Sequence, residues 1–177
     1  MAGRVVVRAG RREDEGFVVA TAERLGAFEV PPWRRGSEIV AGEARTLRHY
    51  FEAPDASGAE LLVAQSADGE RLGFAFLETV TDYFSGSRHG HIGILAVAAA
   101  AEGHGAGGAL LRAAEEWARA RRYARLTLNV FESNRHARAV YEHCGYAPEI
   151  VRYVKSIEAE AGGAPPGPGS SGPGRET

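Results

Sequence analysis

The sequence predicts a mixed α/β domain, with a central sheet of about six to seven strands flanked by about four helices. Three observations carry that prediction. Short β-branched runs alternate with stretches at helical spacing, in the order β-α-α-β-β-β-α-β-α-β. Proline, glycine and Asp-Gly signals stand at the joints. The 177 residues are 44% hydrophobic and 25% charged, enough for one domain with its own core.

The elements follow in order. Val5-Val6-Val7 is β-branched and reads as the first strand. Residues 13–26 space Phe17, Val18, Thr21 and Leu25 as a helix, which Pro31-Pro32 breaks. Residues 38–51 repeat the pattern through Ile39, Leu47, Tyr50 and Phe51. Pro54 and Gly58 signal turns, and strands are expected at 60–65 and 71–81, joined through Ala67-Asp68-Gly69. Another strand is expected at 89–97. A helix at 105–122 presents Ala106, Leu110, Ala113, Ala114 and Trp117 on one face, with Arg112, Glu115, Glu116 and Arg119 opposite. Residues 125–131 read as strand, 134–144 as a helix stopped by Gly145, and 146–156 as one or two closing strands. From Gly162 to Gly174 the chain reads GGAPPGPGSSGPG, too little apolar surface to offset the entropy of ordering it. The expected organisation is one domain over residues 1–158 and a disordered Gly/Pro/Ser-rich tail over 159–177.

Composition excludes several classes. One cysteine, Cys144, cannot form an internal disulfide, which fits a reducing cytoplasm. The net charge of −2 creates no basic field for nucleic acid or a membrane surface. The arginines at 119, 121, 122 and 125 read as a solvated helix end. No run approaches the roughly 20 apolar residues that span a bilayer. The three N-terminal valines are too short a core for a signal peptide. The expectation is a soluble cytoplasmic protein without nucleic-acid or membrane partners.

The most informative segment is 95–111, LAVAAAAEGHGAGGALL: a strand, a glycine-rich turn, then an amphipathic helix. The first N–H groups of a helix lack intrahelical partners and carry partial positive charge. Glycines at 103, 105, 107 and 108 remove side chains that would keep a ligand from that backbone, so the junction suits phosphate. Gly103, Gly105 and Gly108 also spell G-x-G-x-x-G, the dinucleotide fingerprint. That fingerprint normally follows the first strand of its domain, whereas several elements precede it here. No Gly-Lys-Ser/Thr follows, so a nucleoside-triphosphate loop is unsupported as well.

About 30 residues on, NRHARAVYEHCGY runs from Asn134 to Tyr146. On a helix, Ala137, Val140, Tyr141 and Cys144 share a face. Alone, Asn134 reads as an N-cap and Tyr141 as a core aromatic. Together, Leu95-x-Val97, the glycine turn with its helix, and Asn-x-x-Ala-x-x-x-Tyr-x-x-x-Gly-Tyr resemble the GNAT superfamily of N-acetyltransferases. The resemblance spans residues 90–146. It implies a GNAT-like fold with a mostly antiparallel, twisted sheet, acetyl-CoA as acyl donor, a small-molecule or peptide amine as acceptor, and often a homodimer. It also implies that Leu95, Ala96 and Val97 pair with the pantetheine arm. Glu102, Gly103, His104, Gly105, Ala106, Gly107 and Gly108 would cradle the pyrophosphate. Asn134 and Ala137 would line the cofactor, and Tyr141 would protonate the leaving thiolate. The family usually has Gln or Arg where this chain has Glu102, often Arg at His104 and often Pro at Ala99. A carboxylate beside a pyrophosphate is unfavourable unless it points away or pairs with an arginine, and Arg135 or Arg138 on the neighbouring helix is available to supply that charge.

Acyl transfer to an amine needs a base, since an amine of pKa near 10.4 is neutral in only about one molecule in 2,500 at pH 7. His91 is the foremost candidate, with His89, Glu78 and Asp82 as competitors. His89-x-His91 lacks a third ligand, so no metal is expected. Cys144 reads as packing rather than nucleophile. Two alternatives stay open: another acyl-CoA donor, such as succinyl- or propionyl-CoA, and a non-catalytic acyl-CoA-binding module on the same scaffold.

Overall fold

The computed structural model describes residues 4–53 and 58–157. The Pro54 turn and the expected tail at 159–177 lie outside the described residues. Residues up to Ala147 form one compact unit. The described part of the second unit, residues 148–157, has no regular secondary structure.

The first unit holds a five-stranded sheet in the order β1-β2-β3-β4-β5. The strands are β1 (Val6–Ala9), β2 (Glu60–Gln65), β3 (Arg71–Thr81), β4 (Arg88–Val97) and β5 (Leu126–Leu128). The first three pairings are antiparallel, and β5 joins β4 in parallel. Four α-helices accompany the sheet: α1 (Glu15–Thr21), α2 (Gly36–Glu52), α3 (Ala106–Ala120) and α4 (Arg135–His143). No described helix is long and apolar enough to cross a membrane.

Strand alternation divides the core between the two faces of the sheet. On one face Phe74, Phe76, Ile94 and Ala96 pack with Val18 of α1 and Leu47 and Phe51 of α2. Tyr50 adds an edge-on contact with Phe76, centroids 5.4 Å apart. On the other face Ala75, Leu77 and Ile92 meet Ala106, Leu110, Leu111, Ala114, Trp117 and Ala118 of α3. Leu111 and Ala118 thus take buried places where the sequence pattern had emphasised Ala113.

The N-terminal layer is fastened by one buried carboxylate. Asp14 has no exposed surface, receives two hydrogen bonds from the Arg8 guanidinium (2.7 and 2.9 Å) and one from Arg71 Nε (2.6 Å), and accepts the Arg11 N–H. These donors hold its carboxyl group far below the usual carboxylate range, the Arg8 hydrogen bonds contributing most.

Three expectations need correction. The helix expected over 13–26 is only seven residues of α1, flanked by 3-10 turns at Arg12–Asp14 and Ala22–Gly26. β-branched Val18, Val19 and Thr21 are weak helix formers. At the far end, a side chain on Gly26 would approach the Gly36 carbonyl to 2.9 Å, so the chain turns where two glycine backbones meet. The strand expected over 125–131 shrinks to Leu126–Leu128. The closing strands expected over 146–156 are absent from the described residues, leaving five strands rather than six or seven. Gly145 turns the chain at a φ of 89°, and Pro148 brings no N–H to a ladder.

Candidate active site

β4 organises the site. β3 pairs Phe76 with Ile94 and then Leu77 with Ile92, so Gly93 is the extra residue of a β-bulge. β5 pairs with β4 only at Gly90, His91 and Ile92. Beyond the bulge, the edge of β4 facing away from β3 has no strand partner among the described residues, and Leu95, Ala96 and Val97 lie on that stretch. The chain then passes through a 3-10 turn, Ala99–Ala101, into the glycine segment.

Gly103 and Gly105 adopt φ of 75° and 82°, a left-handed conformation that other residues resist. Gly105 caps α3. A side chain at either position would meet nothing within 4 Å, so this backbone faces open space. The N–H groups of Gly103, Gly105, Ala106, Gly107 and Gly108 have no backbone acceptor among the described residues, whereas Ala109 N–H bonds Gly105 O at 3.0 Å. Several donors and the positive end of a 15-residue helix therefore converge on one exposed turn. His104 is exposed within it.

Glu102 does not stand there unpaired. Its carboxylate is ion-paired with Arg24, from the 3-10 turn Ala22–Gly26. The cation expected from α4 is not the one used: Arg138 engages Glu132 and Glu142, and no contact joins Arg135 to Glu102. Arg24 precedes Glu102 by 78 residues, so no local motif links them.

On the face covered by α1 and α2, the bulge gathers titratable groups. Glu78 of β3 lies directly opposite His91 of β4, which lies opposite Thr127 of β5, so the three form a row across the sheet. His91 Nδ1 is 2.9 Å from Thr127 Oγ1, and Thr127 donates to the Gly90 carbonyl at 3.4 Å. Burial, and then neighbouring His89, lowers the His91 pKa, favouring neutral imidazole. The Glu78 carboxylate overhangs the bulge: a Cβ on Gly93 would come within 2.5 Å of Glu78 Oε2. Burial raises the Glu78 pKa. Glu43 of α2, a residue the sequence reading did not single out, is raised by burial and by the charge of Glu78.

The other two base candidates are differently placed. His89 is buried, and its Nδ1 has no hydrogen-bond partner. Asp82 accepts hydrogen bonds from Ser85 and pairs with Arg125, which lowers its pKa, so it is the poorest base of the four.

Helix α4 carries the second motif. Asn134 caps it, Oδ1 accepting the Ala137 N–H at 3.2 Å. Tyr141, with Val140 and Tyr146, packs against the α3 side of the core, the same cluster that Leu95 and Val97 join. Tyr141 and Tyr146 meet edge to face, centroids 6.1 Å apart. Burial raises the Tyr141 pKa, and Tyr146 is pushed up to about 12, mainly by burial. Tyr141 is thus grouped with the Leu95–Val97 stretch and not with Glu78 and His91, which occupy the opposite face. Cys144 departs from the packing role expected of it: it is exposed, because α4 ends at His143. Among the described residues no group of three or more His, Cys, Asp or Glu could hold a metal ion.

Comparison with known proteins agrees with this architecture. Residues 22–146 match the acetyltransferase (GNAT) family. The chain is 32% identical over 156 residues to YhfO, an uncharacterised N-acetyltransferase of Bacillus subtilis (strain 168), covering 87% of this chain and 99% of that one. A solved acetyl transferase structure from Pyrococcus furiosus superposes with a TM-score of 0.68 at 25% identity, over 87% of this chain and all of that one. A ribosomal-protein-alanine N-acetyltransferase from Brucella melitensis biovar Abortus 2308 shares the fold, with a TM-score of 0.64 at 21% identity over the same shares of the two chains. The chain belongs to the GNAT acetyltransferase family.

Proposed function

We propose that this GNAT chain transfers an acetyl group from acetyl-CoA to a primary amine of a small molecule or peptide, by direct attack while both are bound. The observation that carries the reading is the succession along β4: an imidazole opposite a β3 carboxylate at the bulge, an unpaired strand edge, and then a turn of free N–H donors. An unpaired edge suits the extended amide chain of pantetheine. Donors at a helix start suit its pyrophosphate. Leu95, Ala96 and Val97 would hold the first, with Asn134 and Ala137 alongside. Gly103 to Gly108 would hold the second. Bound acetyl-CoA supplies an activated thioester.

The chain's own groups then move protons. Glu78 is placed first as base, because its carboxylate overhangs the gap at Gly93. A buried carboxylate binds protons more strongly than an exposed one, which brings it closer to an amine's needs. His91, whose pKa burial lowers toward the neutral form, stands beside it. Tyr141 stays protonated at neutral pH and can donate to a developing thiolate. Backbone N–H groups along the free edge near Val97 can polarise the thioester carbonyl. The attack needs no covalent enzyme intermediate, so Cys144 has no step. Structures of one fold serve different acceptors, so fold alone does not name this amine.

Calorimetric titration with acetyl-CoA, NAD serving as control, tests the cofactor half. Micromolar binding with a silent NAD trace is expected. NAD binding, or tighter binding of succinyl- or propionyl-CoA, would replace the donor named here.

A further inference from the structure

The Arg24–Glu102 pair ties the turn Ala22–Gly26 to the residue that immediately precedes Gly103. Glu102 ends the 3-10 turn Ala99–Ala101 and immediately precedes Gly103. Arg24 belongs to the turn Ala22–Gly26, which packs on α2 and β4. Both side chains keep solvent access, 39% for Arg24 and 57% for Glu102. The pair is made through one guanidinium nitrogen, Nη2, and guanidinium carries five N–H donors. The remaining donors take no part in the bond to Glu102, the residue next to Gly103. A carboxylate alone at that place would repel an anion; the same carboxylate bonded to an arginine anchors a forked cation that matches phosphate geometry.

We infer that Arg24 is a cofactor-binding residue, whose guanidinium contacts the pyrophosphate of acetyl-CoA, and that Glu102 is the positioning residue that holds it there. The inference rests on reading the glycine turn as the acyl-CoA site. It changes the expected role of Glu102, which acts on the anion through Arg24. It also makes the turn between α1 and α2 part of the cofactor site.

The test is calorimetric binding to the full-length chain, without reference to turnover. Arg24→Met should weaken acetyl-CoA binding at least about tenfold, the loss expected for a charge-assisted contact. Arg24→Lys should retain part of it. The loss should persist with dephospho-acetyl-CoA and vanish with S-acetyl-pantetheine, which lacks phosphates. Glu102→Gln should tighten binding in the Arg24→Met background and fail to tighten it in the wild type. Equal affinity of wild type and Arg24→Met, with both folded by circular dichroism, would overturn the inference and leave the acyl-CoA site standing. A loss confined to the 3′-phosphorylated ligand would overturn the pyrophosphate assignment. A wild type that binds no acyl-CoA would overturn the reading of the turn, and the inference with it.

Discussion

Glu78 and His91 are direct cross-strand partners in the β3–β4 ladder, and the Glu78 carboxylate overhangs Gly93, the residue the bulge leaves over. Paired side chains on one face stand about 5 Å apart at Cβ. The bulge thus opens a gap beside two proton acceptors, at the point where β4 parts from β5. Glycine matters here for space rather than for φ.

Gly93→Ala should therefore separate activity from stability. The new methyl would sit 2.5 Å from Glu78 Oε2, the far end of a flexible, half-buried side chain, and the carboxylate can move aside because Gly93 itself is exposed. We expect near-wild-type stability and a kcat/KM reduced by about tenfold or more, because misplacing a catalytic group is costly. Gly90→Ala is the contrast. Its methyl would meet the Trp117 ring at 2.7 Å and Leu126 at 3.0 Å, in the core, and should cost about 1–3 kcal/mol in urea unfolding.

Glu78→Gln should lower kcat/KM at neutral pH by about 100-fold or more, the usual range for a lost base. Its pH dependence has a defined sign. A base works when ionised, and burial raises the Glu78 pKa, so activity should rise with pH through a midpoint above the ordinary glutamate range. The charge of Glu78 also helps raise the Glu43 pKa, so Glu43→Gln should, if anything, move that midpoint down. The same shifts bear on stability. A carboxyl whose folded pKa is raised makes the protein less stable as pH rises through that window. Both amide variants should be at least as stable as wild type at pH 7–8.

Asp14 should behave in the opposite sense. Its folded pKa is depressed, so its contribution to stability is complete above the unfolded value of about 3.9 and is lost as pH falls toward the folded value. Asp14→Ala leaves Arg8 and Arg71 without their shared anion and should cost about 3 kcal/mol at pH 7, measured by urea denaturation. Activity per folded molecule should change little, because the triad fastens β1 and α1 to β3 and stands apart from Glu78 and His91.

Tyr141→Phe distinguishes catalysis from mere binding. Loss of the hydroxyl should leave acetyl-CoA affinity within a few-fold and lower turnover about tenfold or more. Unchanged turnover would remove Tyr141 from the mechanism. Equal losses in affinity and turnover would make it a packing residue of the α3-side cluster.

The sequence displayed what depends on local pattern. The glycine turn at 103–108, the amphipathic α3 and the Asn134 cap were legible, because a turn, a helical stripe and a cap each need only neighbouring residues. Four strands sat close to their expected ranges for the same reason. What local pattern does not show is long-range. Arg24 meets Glu102 across 78 residues of chain, and the charge of Glu78 on β3 reaches Glu43 on α2; neither pair has a spacing to recognise. The bulge at Gly93 is likewise a mismatch between two strands, invisible within either. The strands expected over 146–156 do not form among the described residues: Gly145 and Pro148 interrupt the pattern, and Ile150, Val151 and Tyr153 are exposed.

Amine-dependent release of free coenzyme A thiol from acetyl-CoA, with mass spectrometry of the acceptor, tests the central claim most directly. Across a panel of primary amines, wild type should release thiol with at least one acceptor, which gains an acetyl group. Glu78→Gln should bind acetyl-CoA equally and release almost none. Acetyl-CoA binding by wild type with no amine-dependent release across the panel would contradict the account and leave a binding module on a GNAT fold.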